Sequence, residues 1–224
     1  MQPSAPSLRS DFALREVVDT HALEQAVFTT GMTRLVIEQD GGHPARTTTV
    51  LRFGAGAEIP VNPLGNGEEL LVLSGEFADE HNTYAAGSYV RNAQSTVRRT
   101  DGGCVLFQKV GHLSIDDQQP LIVDTRNASW QPGMYAGLRN LLLAAVGTER
   151  TVLVRWAPGT QIPAHTHSTV EETLVLEGEL QDEFGRYPAG TWFRVPVGST
   201  HAPSSPSGAL ILIKVGHVRE EMLV

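Results

Sequence analysis

The chain has 224 residues, of which 41% are hydrophobic and 19% are charged, so it can bury a substantial core. Its formal net charge is −8, and its longest basic run is the pair Arg98 and Arg99. This balance excludes the basic surface that nucleic-acid binding needs. A single cysteine, Cys104, excludes an intrachain disulfide.

No stretch of the sequence has the length and hydropathy of a membrane span. The apolar run LLLAAVG at 141–147 is far shorter than the roughly 20 residues that cross a bilayer. The first residues, MQPSAPSLRSDFAL, lack the apolar core of a secretion signal. We therefore expect a cytoplasmic protein without a membrane or nucleic-acid partner.

Residues 1–16 are polar and rich in Ser and Pro, which predicts a loosely held N-terminal tail. Beyond them the chain is typical of short strands. Segments such as RTVLVRW (150–156) and ETLVLEGEL (172–180) alternate with period two, and 22 Gly and 13 Pro supply the turns. No window sustains a helical period. The fold class is predicted to be all-β, with antiparallel strands closed into barrels.

An internal repeat divides the chain into two similar halves. Residues 50–92 align with residues 153–195, so that GEELLVLSGEFADEHNTYAAGSYVR matches VEETLVLEGELQDEFGRYPAGTWFR. The polar stretch LSIDDQQPL at 113–121 separates the copies. We therefore predict two tandem barrels, the first over residues 17–118 and the second over residues 119–224.

Three histidines and a glutamate of the second copy have the chemistry of a metal site. His165 and His167 stand one residue apart, so on a strand both imidazoles point to the same face. Glu171 follows in TV-E-ETLVLEG, and His201 follows in VGST-H. Three neutral imidazoles and one carboxylate suit a divalent transition metal. Glu172 is the alternative carboxylate, but strand alternation turns it to the other face.

The spacing of these residues resembles both motifs of the cupin superfamily. The first motif is G-x5-H-x-H-x3-E-x6-G from Gly159 to Gly178, and the second is G-x5-P-x-G-x2-H from Gly190 to His201. The resemblance implies two jelly-roll barrels, a bicupin, with His165, His167, Glu171 and His201 as the metal ligands. The family's second motif usually closes with Asn, and here that position is Ser205.

Within the cupins, the chain resembles the cupin-like domain of the anti-sigma factor ChrR and its free-standing relatives. The residues that carry this resemblance are EETLVLEGELQDEFGRYPAGTW at 171–192 and GSTHAP at 198–203. It implies a regulatory protein and, by resemblance only, a sigma factor as partner. ChrR also carries a separate N-terminal zinc-binding segment that grips the sigma factor, and no such Cys/His cluster stands before residue 50 here.

The first copy has lost most of the predicted ligands. Its equivalent positions are Asn62, Leu64, Glu68 and Arg98. Leu and Arg do not ligate transition metals, so we expect the first barrel to be metal-free. Glu68 would then be a buried anion, and we hypothesise that Arg98 pairs with it; the alternative is that both side chains face solvent.

Five further residues are candidates for the lining of the metal pocket: Arg155, Thr173, Val175, Trp192 and Phe193. Arg155 either approaches the metal and holds an anionic ligand or forms a salt bridge at the rim. Trp192 and Phe193 are neighbours on a predicted strand, so one of them faces the pocket and the other packs outside, and alternation does not say which.

Two functional classes follow from these features. The first is a metal-binding sensor that responds to a small-molecule ligand or oxidant and alters a protein partner. The second is an Fe-dependent dioxygenase acting on a small carbonyl or phenolic compound. Zinc, the expected ion, suits a closed four-ligand site, whereas iron, manganese or nickel suits a site with room for water. Two packed barrels stand alone or pair as a homodimer across a two-fold axis.

Overall fold

The computed structural model describes residues 6–24, 26–29, 31–42, 45–59, 67–91, 98–113, 117 and 119–218. These residues contain 22 β-strands and no helix. The predicted fold class is confirmed: the chain is all-β and forms two tandem jelly-roll barrels. Among the described ranges, no helix has the length and apolar character needed to cross a membrane.

The chain divides into two compact units, and each unit is formed by two separate stretches of the sequence. Unit 1 contains Met1–Ser10 and Leu23–Ala128, and unit 2 contains Asp11–Ala22 and Ser129–Val224. The repeat instead predicts boundaries at residues 16/17 and 118/119. The difference arises because the strand Glu16–Asp19 pairs with Thr191–Val195, whereas Leu121–Asp124 pairs with Ser88–Arg91.

Unit 1 is built from one ten-stranded antiparallel system. Its main path has the order β11-β8-β6-β10-β4-β3-β2, and β5, β7 and β9 pair beside it. The strands are β2 Ala26–Thr29, β3 Met32–Gln39, β4 Thr47–Phe53, β5 Glu58–Ile59, β6 Glu68–Asp79, β7 Thr83–Ala85, β8 Ser88–Arg91, β9 Arg98–Arg99, β10 Cys104–Val110 and β11 Leu121–Asp124.

Unit 2 repeats this order and adds a short two-stranded ladder. Its main path is β1-β19-β17-β22-β14-β13-β12, with β15, β18 and β21 beside it and β16 paired with β20. The strands are β1 Glu16–Asp19, β12 Gln131–Pro132, β13 Leu138–Val146, β14 Glu149–Trp156, β15 Thr160–Gln161, β16 His165–Thr166, β17 Glu171–Asp182, β18 Gly185–Pro188, β19 Thr191–Val195, β20 Thr200–His201, β21 Ser204–Ser205 and β22 Ala209–Val215.

Each unit encloses its own apolar core, as the alternating strands predict. In unit 2, the buried cluster combines Val154 and Trp156 from β14 with Val175, Phe193 and Ile211 from the three neighbouring strands. In unit 1, the equivalent positions of β4, β6 and β10 supply Leu51, Phe53, Val72 and Leu106. Burial of such side chains contributes roughly 1.5–3 kcal/mol each.

Strand β17 changes its pairing partners at Gly178 and serves two sheets. Its first half pairs with β19 and β22, and its second half pairs with β18 and β21. Gly178 has φ +69°, and a Cβ there would lie 2.0 Å from the carbonyl oxygen of Gly208, so only glycine fits. The single strand thus carries Glu171 at one end and Asp182 at the other, and both lie at the candidate site described below.

The described part of the N-terminal segment is not the loosely held tail that its composition predicts. In unit 1, Leu8 and Gln39 exchange backbone hydrogen bonds of 2.7 and 2.9 Å. In unit 2, Phe12 is only 2% exposed and lies 4.9 Å below the guanidinium of Arg194. Burial of an aromatic ring is enough to hold a polar segment that has no strand pattern of its own.

Candidate metal centre

A two-stranded ladder brings the predicted histidines of unit 2 together. Strands β16 and β20 pair so that His165 lies opposite His201 and Thr166 lies opposite Thr200. The ladder continues through the amide of His167, which donates to Ser199 O at 2.9 Å. Residues opposite each other on one face have their Cβ atoms about 5 Å apart. His167 joins them because it stands two residues after His165 on the same face.

The three imidazoles form a compact triangle. Their ring centroids are 5.0 Å apart for His165 and His167, 4.8 Å for His165 and His201, and 4.9 Å for His167 and His201. One nitrogen from each ring lies within 4.8 Å of the others. His167 and His201 are buried, whereas His165 is half-buried and keeps one side of the cluster open to solvent.

Hydrogen bonds on the outer side of two rings direct the other nitrogen inward. His201 Nδ1 lies 2.9 Å from Asp182 Oδ2, and His165 Nδ1 lies 3.2 Å from Pro163 O. A carboxylate and a carbonyl only accept, so both Nδ1 atoms donate, and in a neutral ring the lone pair is then at Nε2. His167 Nε2 lies 3.0 Å from His201 Nε2, so one proton is shared between them.

Burial and neighbouring positive charges favour the neutral form of His167. Burial is the largest cause and, with His201, His165 and Arg15 nearby, it lowers the pKa of His167 from its ordinary value of 6.5 to about 4. A neutral imidazole is the form that ligates a metal. His167 therefore offers a lone pair over the whole physiological pH range.

Asp182 supports the cluster from outside the triangle of imidazoles and is not among the residues predicted from the sequence. Its Oδ2 accepts from His201 and from Arg15 Nη2, each at 2.9 Å, and its Oδ1 accepts from Tyr187 at 2.7 Å and from the Phe184 amide at 2.9 Å. Burial alone would raise the pKa of Asp182, but these donors hold it well below its usual value. The carboxylate is therefore ionised and supports the His201 Nδ1–H.

The sequence did contain a signal for this carboxylate. Asp79 and Tyr84 of unit 1 stand at the same positions as Asp182 and Tyr187, and both pairs form a 2.7 Å hydrogen bond from the tyrosine hydroxyl. Arg15 gives no such signal, because it lies in the segment whose composition predicts a loosely held tail.

Glu171 lies beside the triad rather than inside it. Its Oε2 is 3.8 Å from His167 Nδ1, and its Oε1 accepts from the Thr173 hydroxyl at 3.0 Å. Burial raises the pKa of Glu171, against the opposing effects of Thr173, His201 and His165. The alternative carboxylate, Glu172, is buried on the other face with Oε1 3.3 Å from His217 Nε2, as strand alternation predicts.

The structure separates the five predicted pocket residues. Thr173 contacts Glu171, and Val175 and Phe193 belong to the barrel core, where Phe193 stacks on Tyr187 at 4.6 Å. Trp192 lies on the opposite face of β19, 5.7 Å from the Arg194 guanidinium. Phe193 is therefore the member of that pair that faces the barrel interior.

Arg155 faces away from the barrel interior. Its guanidinium lies 3.7 Å from Glu177 and 5.3 Å from the ring of Trp130, and its side chain is half exposed. It lines a separate cleft of about 410 Å³ with Arg139 and Glu177. The rim salt bridge, one of the two predicted roles, matches this position.

Unit 1 has an ion pair where unit 2 has the histidine cluster. Arg98 Nη1 lies 2.7 Å from Glu68 Oε2, and both side chains are at least 93% buried. Gln108 Nε2 donates to Glu68 Oε1 at 2.7 Å. The hypothesised Glu68–Arg98 pair is thus confirmed. Asn62 and Leu64 lie outside the described residues, and within those residues only the unit 2 cluster groups three ligating side chains.

The donor set of unit 2 fits a divalent transition metal. Three imidazoles converge from one ladder, two of them anchored by acceptors at the outer nitrogen, and a carboxylate stands next to them. Such outer hydrogen bonds are the usual support of metal-ligating histidines. A bound ion at such a site supplies Lewis acidity and open coordination positions for a small ligand.

Two jelly-roll barrels, one of them with a histidine cluster on the ladder β16–β20, define the chain as a bicupin. The family model of the ChrR cupin-like domain matches it twice, over residues 14–114 and 118–219. The chain therefore belongs to the family of ChrR cupin-like domains. A comparison with curated protein sequences gives no significant match.

Solved structures share the two-barrel fold at low sequence identity. A proposed dioxygenase from Nostoc punctiforme is 14% identical, with a TM-score of 0.76 over 93% of this chain and 83% of that one. Ylba from E. coli is 10% identical, with a TM-score of 0.69 over 97% and 96%. The Rhodobacter sphaeroides SigE complex with the anti-sigma ChrR is 26% identical over 40% and 50%, with a TM-score of 0.37. The first two show the fold alone.

Proposed function

We propose that unit 2 binds one divalent transition metal ion through His165, His167, His201 and Glu171, and that the protein is a metal-dependent regulator of the sensor type. The observation that carries the proposal is the convergence of three imidazoles whose ring centroids are 4.8–5.0 Å apart. The inner nitrogens of His167 and His201 lie 3.0 Å apart, so the two rings already face a common centre.

Glu171 is proposed as the fourth ligand because its carboxylate stands beside the cluster, 3.8 Å from His167 Nδ1, whereas Asp182 accepts from the outer Nδ1–H of His201. The pKa of Glu171 is raised by burial, so the carboxylate gains most from a nearby cation. Thr173 holds one of its oxygens at 3.0 Å and leaves the other towards His167. This hydrogen bond fixes the orientation of the Glu171 carboxylate at the edge of the cluster.

Zinc is the ion that we propose, and iron, manganese and nickel are the alternatives. A set of three imidazoles and one carboxylate gives zinc its preferred number of four ligands. The three other ions also accept these donors but take additional water or substrate ligands. Metal identity divides the two functional classes, because oxygen chemistry requires a redox-active ion and sensing does not.

Membership of the ChrR cupin-like family supports the regulatory role. In this role, a small-molecule ligand or an oxidant reaches the ion on the side of the half-buried His165. Its binding or reaction then alters the interaction with a protein partner. A sigma factor is the partner class that the family suggests. The chain itself supplies the metal barrel, and the partner-binding surface is the part to be found by experiment.

The second candidate is an Fe-dependent dioxygenase that acts on a small carbonyl or phenolic compound. The half-buried position of His165 favours it, because an open side is where oxygen and substrate would approach. Val175 and Phe193 would give the substrate an apolar surface inside the barrel. The protein's own part would be to bind and orient the substrate and to exclude water.

Metal analysis of the protein purified without added metal tests the proposal. We expect about one ion per chain in the wild type and a loss of at least 90% in the double variant His165→Ala/His201→Ala. His81→Ala is the matched control, since His81 is exposed in a hairpin of unit 1. Retention of a stoichiometric ion by the double variant would refute the ligand set.

Oxygen consumption separates the two functional classes. The iron-loaded protein is incubated with a panel of diketones and catechols, and His167→Ala serves as the inactive reference. Substrate-dependent oxygen uptake that disappears in His167→Ala would establish the dioxygenase and exclude a purely regulatory role. A zinc-bound protein without uptake is the result that we expect.

A further inference from the structure

Arg15 connects the segment before β1 to the outer side of the histidine cluster. Its Nη2 donates to Asp182 Oδ2 at 2.9 Å and to the Tyr187 hydroxyl at 2.6 Å. The same Asp182 oxygen accepts from His201 Nδ1 at 2.9 Å. A single carboxylate oxygen is therefore held between a guanidinium and a predicted metal ligand.

Three aromatic rings fix the orientation of the guanidinium. The Arg15 Cζ atom lies 4.6 Å from the ring centroid of Phe184, 5.7 Å from that of Tyr187 and 6.0 Å from that of Phe193. A planar cation between aromatic rings and a carboxylate has little freedom to rotate. The side chain is 21% exposed, so the charge pair with Asp182 is largely shielded from solvent.

Comparison of the two units shows that Arg15 occurs in the unit that has the histidine cluster, whereas both units have the Asp–Tyr hairpin. Unit 1 keeps the hairpin pair, because Tyr84 donates to Asp79 at 2.7 Å. When VVDT at 17–20 is aligned with IVDT at 122–125, the counterpart of Arg15 is Pro120, which has no charge. Unit 1 therefore forms the hairpin without a counterpart of Arg15, and its Asp79 is paired in register with Arg98. Unit 2, which has His201, contains Arg15. Unit 1, which has Arg98 at the position of His201, has no arginine at the position equivalent to Arg15.

We propose that Arg15 is a positioning residue of the metal centre, which acts on the ion through Asp182 and His201. By holding Asp182 Oδ2, the guanidinium fixes the acceptor of the His201 Nδ1–H and so directs His201 Nε2 towards the triad. The inference rests on the proposed function, since it assumes that the triad binds a divalent ion. It makes the segment Asp11–Ala22 a functional part of the site.

Zinc and cobalt dissociation constants of Arg15→Met test this role. The variant keeps the length of the side chain and removes the charge and the donors. We expect binding 10–100-fold weaker than in the wild type, as for other changes in the outer shell of a metal. We also expect altered absorption bands of the bound Co²⁺, a signature that a purely structural contact would leave unchanged.

Arg186→Met is the matched control, since Arg186 lies on the same hairpin but pairs with Glu179 at 2.7 Å and is 73% exposed. If Arg15→Met does not fold, Arg15→Lys replaces it, and there too a loss of ten-fold or more supports the role. Wild-type affinity and unchanged Co²⁺ bands in the Arg15 variant overturn this inference alone. A wild-type protein that binds no ion overturns the proposed function and this inference with it.

Discussion

Asp182 is the residue that connects the histidine cluster to the frame of unit 2. It accepts hydrogen bonds from a side chain of the cluster, from the N-terminal segment and from its own hairpin. The repeat offers an internal reference, because Asp79 holds the equivalent hairpin of unit 1, where Arg98 stands at the position of His201. A structural role and a role in metal binding can therefore be separated at this position.

Asp182→Asn is expected to weaken metal binding by about 10–100-fold, because the neutral amide supports the His201 Nδ1–H less well than a carboxylate. Asp79→Asn is the control. Both variants should lose about 1–2 kcal/mol of stability from weaker hairpin hydrogen bonds, as measured by urea unfolding without metal. Only Asp182→Asn should change the zinc dissociation constant in a chelator competition. Equal dissociation constants in the two variants would contradict the role of Asp182.

His167 makes the stability of the metal-free protein depend on pH. Its pKa is lowered to about 4 in the folded protein, chiefly by burial, and is about 6.5 when the chain is unfolded. Below pH 6.5 the unfolded chain binds a proton that the folded protein does not, so the free energy of unfolding falls as the pH falls from about 6.5 to about 4. Solvent screening limits the loss to about 1–3 kcal/mol.

The measurement is urea unfolding of the chelator-treated protein at pH 7.5, 5.5 and 4.5. His167→Asn removes the titrating ring, so its stability should decline less over this interval than that of the wild type. Parallel declines in the two proteins would show that another group dominates the pH dependence.

At the scale of elements, the segment around Arg98 in unit 1 and the segment around His201 in unit 2 show how duplicated strands diverge. His201 of β20 corresponds to Arg98 of β9, and Glu171 of β17 corresponds to Glu68 of β6. In unit 1 the cation of Arg98 stands where unit 2 has imidazoles. An internal side-chain charge thus balances the buried carboxylate that a metal ion would balance in unit 2.

Arg98→Met should destabilise unit 1 by about 3–5 kcal/mol, because Glu68 is then a buried anion without its cation. The double variant Arg98→Met/Glu68→Gln should recover most of this loss, since it buries no charge. Arg99→Met, at the exposed neighbouring position, is the control and should change the stability by less than about 0.5 kcal/mol. Stability is measured by urea unfolding. If the Arg98→Met variant were as stable as the wild type, the Glu68–Arg98 ion pair would not stabilise unit 1.

At the scale of the whole molecule, the fold and the cluster were predictable from sequence because their determinants are local and duplicated. The period-two strands occur twice, and the H-x-H pair sets its own geometry on one strand. The pairing of Glu68 with Arg98 was also accessible, because a buried charge needs a counter-charge.

Other features depend on contacts that no local pattern encodes. The strand Glu16–Asp19 joins the sheet of unit 2, which lies about 170 residues later in the chain, and only tertiary pairing decides this. The same long-range pairing brings Arg15 to Asp182. The orientation of Phe193 against Trp192 was undecided because both neighbours are apolar and both are buried. Alternation fixes which residues share a face but not which face is inside.

Removal of the metal should act on unit 2 and leave unit 1 unchanged, and the chain has a natural probe for this. All three tryptophans, Trp130, Trp156 and Trp192, belong to unit 2. An ion present at 100 times its dissociation constant stabilises the folded form by about 2.7 kcal/mol. Chelation should therefore lower the urea midpoint of the tryptophan emission, while circular dichroism keeps a component with an unchanged midpoint. The variant His165→Ala/His201→Ala should show the lower midpoint with or without chelator. If chelation moves both signals together in the wild type, the two units unfold as one and the ion stabilises the entire chain.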